Sequence, residues 1–151
     1  MVESIIAINI VVVGLLGVLN LLSNSLALNR DVGQKFVATY LAVEGVEVVK
    51  NLIDTNYANK RAWNDGIAKG VYAVSYDSAS LGNDNLGDLL LVNEEGIYNY
   101  ASGKATGFTR DINIEENPEN ENEIKVVSTV EWLTKKGPQR IDLEDHFFNW
   151  R

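Results

Sequence analysis

Glu3 carries the sharpest chemistry in this sequence. It is the one charge ahead of a run in which no charged residue occurs until Arg30. A carboxylate at an apolar boundary is costly to bury without a partner. Two readings fit it: a paired acid in an assembly, or an acid resting among lipid headgroups. His146 stands beside Glu144 and Asp145 and is the single histidine. One imidazole does not build a common zinc site, and no HExxH or GxSxG pattern is present to recruit it, so it reads as a surface or loop histidine. Asp77, Asn83, Asp84, Asn85 and Asp88 offer oxygen ligands for Ca²⁺, but their spacing is not that of an EF-hand loop, and a plain polar loop is the favoured reading. Lys60, Arg61 and Lys69 near Trp63 could make a small basic-aromatic patch for DNA. No nucleophile elbow, paired-carboxylate cleft or P-loop occurs, so no enzyme, catalytic residue, cofactor or metal is expected.

The charge balance restricts the partners. Beyond Glu3, the 13 basic and remaining 20 acidic residues lie in residues 30–151 and sum to −7. An acidic exposed part argues against a nucleic-acid partner, because phosphate neutralisation needs clustered Lys or Arg. There is no cysteine, which excludes disulfides, thiolate metal sites and cysteine nucleophiles.

The element that positions Glu3 is the most distinctive in the chain. Ile5 to Leu28 reads IIAINIVVVGLLGVLNLLSNSLAL, 24 residues without charge or proline. As an α-helix this spans about 36 Å, enough to cross a hydrocarbon core of about 30 Å. A buried soluble helix rarely runs this long without a charged face, which favours a membrane span. Asn9, Asn20, Ser23, Asn24 and Ser25 oppose insertion and would prefer a partner helix. Gly14 and Gly17 weaken the helix by roughly 1 kcal/mol each relative to alanine. Their spacing permits either local unwinding or close helix approach. A secretory signal would begin with basic residues, and MVES does not.

An amphipathic stretch follows. Asp31 is a candidate cap for renewed helix, Val32, Phe36, Tyr40 and Val43 fall at helical spacing, and Val37, Leu41, Val48 and Leu52 form a neighbouring row. The pattern runs to about Thr55, so residues 5–55 can form one helix of about 75 Å. The division expected is residues 1–30 as an apolar helix and 31–151 as an exposed domain. From Trp63 onward the helical period gives way to a turn signal, Trp63-Asn64-Asp65-Gly66, and to short β-type runs: 71–76, 89–92, 97–100, 108–114, 124–132 and 140–148. Residues 94–96 and 135–138 fit hairpin loops. The acidic segment Glu115–Glu123 reads as a solvated loop. The fold class expected is α+β: a long N-terminal helix, apolar then amphipathic, packed through residues 32–55 on an antiparallel sheet of four or five strands.

The order of boundary carboxylate, charge-free run and amphipathic continuation resembles the N-terminus of type IV pilins and pseudopilins. Met1-Val2-Glu3-Ser4 resembles the family's L/M-V/I-E-x segment, with Glu3 matching its acid. Residues 43–67 (VEGVEVVKNLIDTNYANKRAWNDGI) and the tail from Val126 to Arg151, with its closing Asn-Trp pair, are also similar to prepilin-type proteins. In that family a basic leader is cut after glycine and the acid is the fifth mature residue. Glu3 stands two positions short of that, so the sequence either begins inside the mature chain or has its start misassigned. The family's common proline in the membrane half is missing, with Gly14 and Gly17 there to soften the helix instead. The C-terminal disulfide loop of many members is missing too.

The resemblance implies a pilin-like fold and a structural subunit of a helical surface filament serving adhesion, motility or DNA uptake. It implies that Glu3 pairs with the N-terminal amine of a neighbouring copy, and that Ile5, Ile8, Val12, Gly14, Leu15, Gly17, Leu19 and Leu22 pack helix on helix. The partners implied are other copies of the chain, the inner membrane before assembly, a prepilin peptidase, and machinery driven by a separate ATPase. The product would be a cell-surface filament of N-methylated subunits, each a single-pass membrane protein beforehand. Two other readings remain. One is a pseudopilin of a type II secretion system, distinguished by a short fibre; the other is a membrane-anchored extracytoplasmic binding domain, distinguished by a monomer in detergent.

Overall fold

The structure is a computed structural model that describes residues 2–149. Met1 of the Met1–Ser4 segment, and Trp150 and Arg151 of the tail, lie outside the described residues.

One helix, α1, runs from Val2 to Ala58. It contains no proline, and its glycines cost only about 1 kcal/mol each, so nothing interrupts the hydrogen-bond ladder. The expected restart at Asp31 does not occur: that residue is helical, with helix on both sides. The stop comes three residues later than the pattern suggested and needs neither glycine nor proline. Lys60 takes a left-handed conformation (φ 57°). Its N–H reaches Tyr57 O at 3.1 Å, and the Arg61 N–H reaches Asn56 O at 2.9 Å. This paired geometry satisfies the last carbonyls of a helix. Asn56 then ties down the turn that follows, its side-chain amide donating to Trp63 O (3.2 Å) and Asp65 O (2.8 Å).

The chain forms two compact units that divide between Phe36 and Val37. In the first, every residue from Val2 to Arg30 is exposed.

In the second unit six strands form one antiparallel sheet: β1 (Gly70–Tyr72), β2 (Leu89–Val92), β3 (Tyr98–Asn99), β4 (Lys104–Glu116), β5 (Glu123–Thr134) and β6 (Gly137–Phe148). The order is β3-β2-β4-β5-β6, with β1 also paired to β4 through Ile112–Ile114. All six apolar runs read from the sequence become strands, so the sheet exceeds the expected four or five. β5 and β6 pair from Glu123↔Phe148 to Thr134↔Gly137 across a two-residue turn. Gly137 has φ 115°, a conformation that favours glycine.

Glu115–Glu123 is less loop than its acidity suggested. β4 continues to Glu116 and β5 begins at Glu123, leaving only residues 117–122 between them. Cross-strand charge explains the difference. Lys125 stands opposite Glu115 with Nζ 2.9 Å from its carboxylate, and opposite charges support a pair where like charges would repel.

The α+β arrangement is as expected: the second half of α1 packs on the antiparallel sheet. The buried helix residues are Ala38, Leu41, Ala42, Gly45, Val46, Val48, Val49, Ile53 and Asn56. Two apolar clusters result. Ala38, Leu41 and Ala42 meet Leu90, Phe108, Val130 and Trp132; Val48, Val49 and Ile53 meet Ile112, Ile114, Ile124 and Val126. Of the two helical rows, the one that packs is Val37-Leu41-Val48-Leu52. Val32, Phe36, Tyr40 and Val43 are exposed.

Between the clusters lies a polar seam. Arg110, on the core face of β4, is 1% exposed. Its guanidinium donates to Glu44 Oε1 at 2.7 Å, to Leu41 O at 3.1 Å and to Val74 O. Gly45 makes room beside it. A Cβ there would sit 2.5 Å from Ile112 Cδ1 and from Ser128 Oγ, so only glycine lets the helix approach this closely.

Candidate functional site

The residues expected to drive assembly all lie on α1 and are all exposed. At about 100° per residue, Ile5, Ile8, Val12, Leu15, Leu19 and Leu22 fall in one row, alternating three and four apart. That is the spacing of a helix–helix seam. Glu3, Gly14 and Gly17 fall on a different side. The helix therefore brings the six aliphatic residues together and sets the acid and the two glycines apart from them.

Glu3 sits in the first turn, where the helix dipole favours a negative charge. α1 is continuous through residues 12–22, and a Cβ at Gly14 or Gly17 would meet nothing within 4 Å. The glycines leave open surface on an unbroken helix. Asn9 is partly accommodated, its side-chain amide donating to Ile5 O at 2.8 Å within the helix.

Residues 2–30 carry Ile, Val and Leu side chains that are mostly 50–70% exposed. Together these side chains expose on the order of 1,000 Å² of apolar surface. At about 25 cal/mol per Å², removing that surface from water is worth roughly 25 kcal/mol before any ordering cost. Soluble monomers rarely show patches above a few hundred Å². α1 is long and apolar enough near the N-terminus to cross a membrane.

His146 lies on β6, exposed, rather than in a loop. Its Nδ1 is 2.7 Å from Glu123 and its Nε2 3.2 Å from Glu144. These two carboxylates, Glu123 first, raise its pKa above the ordinary 6.5. Glu123 is in turn held below the usual carboxylate range, by Asn117 first and then by His146. Among the described residues no three His, Asp or Glu side chains gather as a metal site, the Asp77–Asp88 string included. Trp63 is buried in the core, so it does not join Lys60, Arg61 and Lys69 in a surface for stacking bases. Clefts of about 190 Å³ beside Asn56 and about 200 Å³ beside His146 are smaller than the roughly 300–1,000 Å³ of small-molecule pockets.

Two features of the second unit differ in how far local pattern signals them. Arg110 sits in an alternating strand pattern among Phe108, Ile112 and Ile114, and that inward parity was the signal of its burial. The His146 clamp had no comparable signal, because it depends on the β5–β6 register that brings Lys125 opposite His146.

No family model matches the chain, and no curated protein or solved structure does either. A functional reading therefore rests on the residues and their geometry.

Proposed function

We propose that the chain is a structural subunit of a type IV pilus-like helical surface filament. Before assembly, residues 5–28 reside in the membrane as a single span; on assembly, the same residues pack against those of other copies. The work is mechanical and adhesive, with energy from a separate ATPase and N-terminal processing by a prepilin peptidase. The observation that carries this reading is the uninterrupted exposure of Val2–Arg30 on a continuous helix.

Lipid covers such a surface in the precursor, and copies of the chain can cover it afterwards. Contacts that repeat without closing on themselves build a fibre. The six-residue row from Ile5 to Leu22 supplies the seam, and Glu3 the charge to be met by a neighbour's N-terminal amine. The second unit has its own core and remains outside.

The test is Glu3→Val. It removes the acid while keeping the apolar surface, so the chain should still fractionate with membranes while fibres disappear from electron micrographs. Fibres formed at the wild-type yield by Glu3→Val would rule out the pairing role.

A further inference from the structure

The polar residues inside the apolar half of α1 are not scattered around it. At about 100° per residue, Asn9, Asn20, Ser23 and Asn24 share one face, and Gly17 borders it one turn before Asn20. Ser25 alone falls on the far side, with Val18 and Leu22. Asn9 is served by its own helix. The side chains of Asn20, Ser23 and Asn24 have no partner among the described residues. Hydrocarbon offers neither donor nor acceptor, so amides placed there must find partners in protein.

We propose that two copies of this chain pair in the bilayer, side by side and in parallel, through the Gly17–Asn20–Asn24 face, before any larger assembly forms. The inference rests on the reading that residues 5–28 enter the membrane. The occupant follows from the chemistry. A carboxamide is both donor and acceptor, so the same residue on a second copy, inserted in the same direction, presents the complementary group at the same depth. Asn20 and Asn24, four apart, repeat that match over one turn. Gly17 removes the obstacle to close approach: a Cβ there would meet nothing in the chain, and small residues let helix backbones draw together. The Ile5–Leu22 row lies to one side of this face, free for lipid in the pair and for further copies later.

The chain contains no cysteine, so single-cysteine variants report contacts unambiguously. Full-length chains carrying Leu16→Cys or Ala27→Cys place the thiol on the asparagine face while keeping both amides; Val18→Cys and Leu22→Cys place it opposite. In phosphatidylcholine vesicles, oxidative cross-linking at 16 and 27 should outpace that at 18 and 22 by on the order of tenfold. Adding Asn20→Leu and Asn24→Leu should bring the Leu16→Cys rate down to that of Leu22→Cys. Equal rates on both faces, no cross-linking by inserted chains, or cross-linking that survives the double leucine substitution would overturn the paired face and leave the membrane span standing. Failure of the chain to insert would overturn both the pairing and the membrane reading beneath it.

Discussion

Val2–Arg30 and Ala38–Asn56 belong to one helix and are drawn from the same aliphatic vocabulary. In the first stretch every residue is exposed; in the second, nine are buried against the sheet. The difference lies in what interrupts the aliphatics. Ala38, Ala42 and Gly45 are small residues at three- and four-residue spacing, and they let β4 and β5 come close enough for Ile112, Val126 and Val130 to cover the helix. In the first stretch the small residues Gly14 and Gly17 have nothing near them. Small residues thus meet close neighbours in the second stretch, at Gly45 above all, while those of the first stand in open space.

Arg110 should show the largest effect on the second half. Arg110→Met takes a second donor from Leu41 O, removes the guanidinium donor to Val74 O and leaves Glu44 without its cation. With Glu44 a third exposed, the loss expected is about 2–3 kcal/mol, read as urea unfolding of the buried Trp63 and Trp132 by fluorescence. An unchanged midpoint would mean that the seam contributes nothing. Next comes the contrast between glycines. Gly45→Ala should destabilise by about 2 kcal/mol through overpacking against Ile112 and Ser128. Gly14→Ala, in open surface, should stabilise the helix by about 1 kcal/mol, read as a rise in helical circular dichroism in detergent. Equal responses at the two sites would dissolve the distinction between the halves.

The smallest effect expected is at His146, on the exposed side of the sheet. Its imidazolium holds Glu123 and Glu144 together, and its pKa is raised in the folded chain. The stabilisation is therefore complete below the unfolded value of 6.5 and is lost as pH rises through the higher folded value. With one histidine in the sequence, its ring protons titrate alone in an NMR spectrum. A midpoint above 6.5 is expected, falling in Glu123→Gln; a midpoint at or below 6.5 would contradict the clamp.

Much of the fold was legible because it follows from local pattern. The charge-free run, the turn at Trp63–Gly66 and all six β-type runs are visible in the sequence. What escaped depended on partners distant in the chain. Two apolar rows of α1 lie side by side, and periodicity alone does not choose between them; the small residues at 38, 42 and 45 were the available clue. Glu115 and Glu123 read as loop residues until Lys125 and His146 come beside them across the sheet. On the apolar half of α1, the aliphatic row was legible as composition. Its separation from Glu3, Gly14 and Gly17 emerges only when a single unbroken helix fixes their angles.

Electron cryomicroscopy of material sheared from the cell surface puts the coverage of Val2–Arg30 to the most direct test. Fibres are expected in which residues 5–28 of successive copies pack around the axis and the six-stranded sheets lie outside. Dispersed single chains, with that stretch folded against their own sheet, would contradict it.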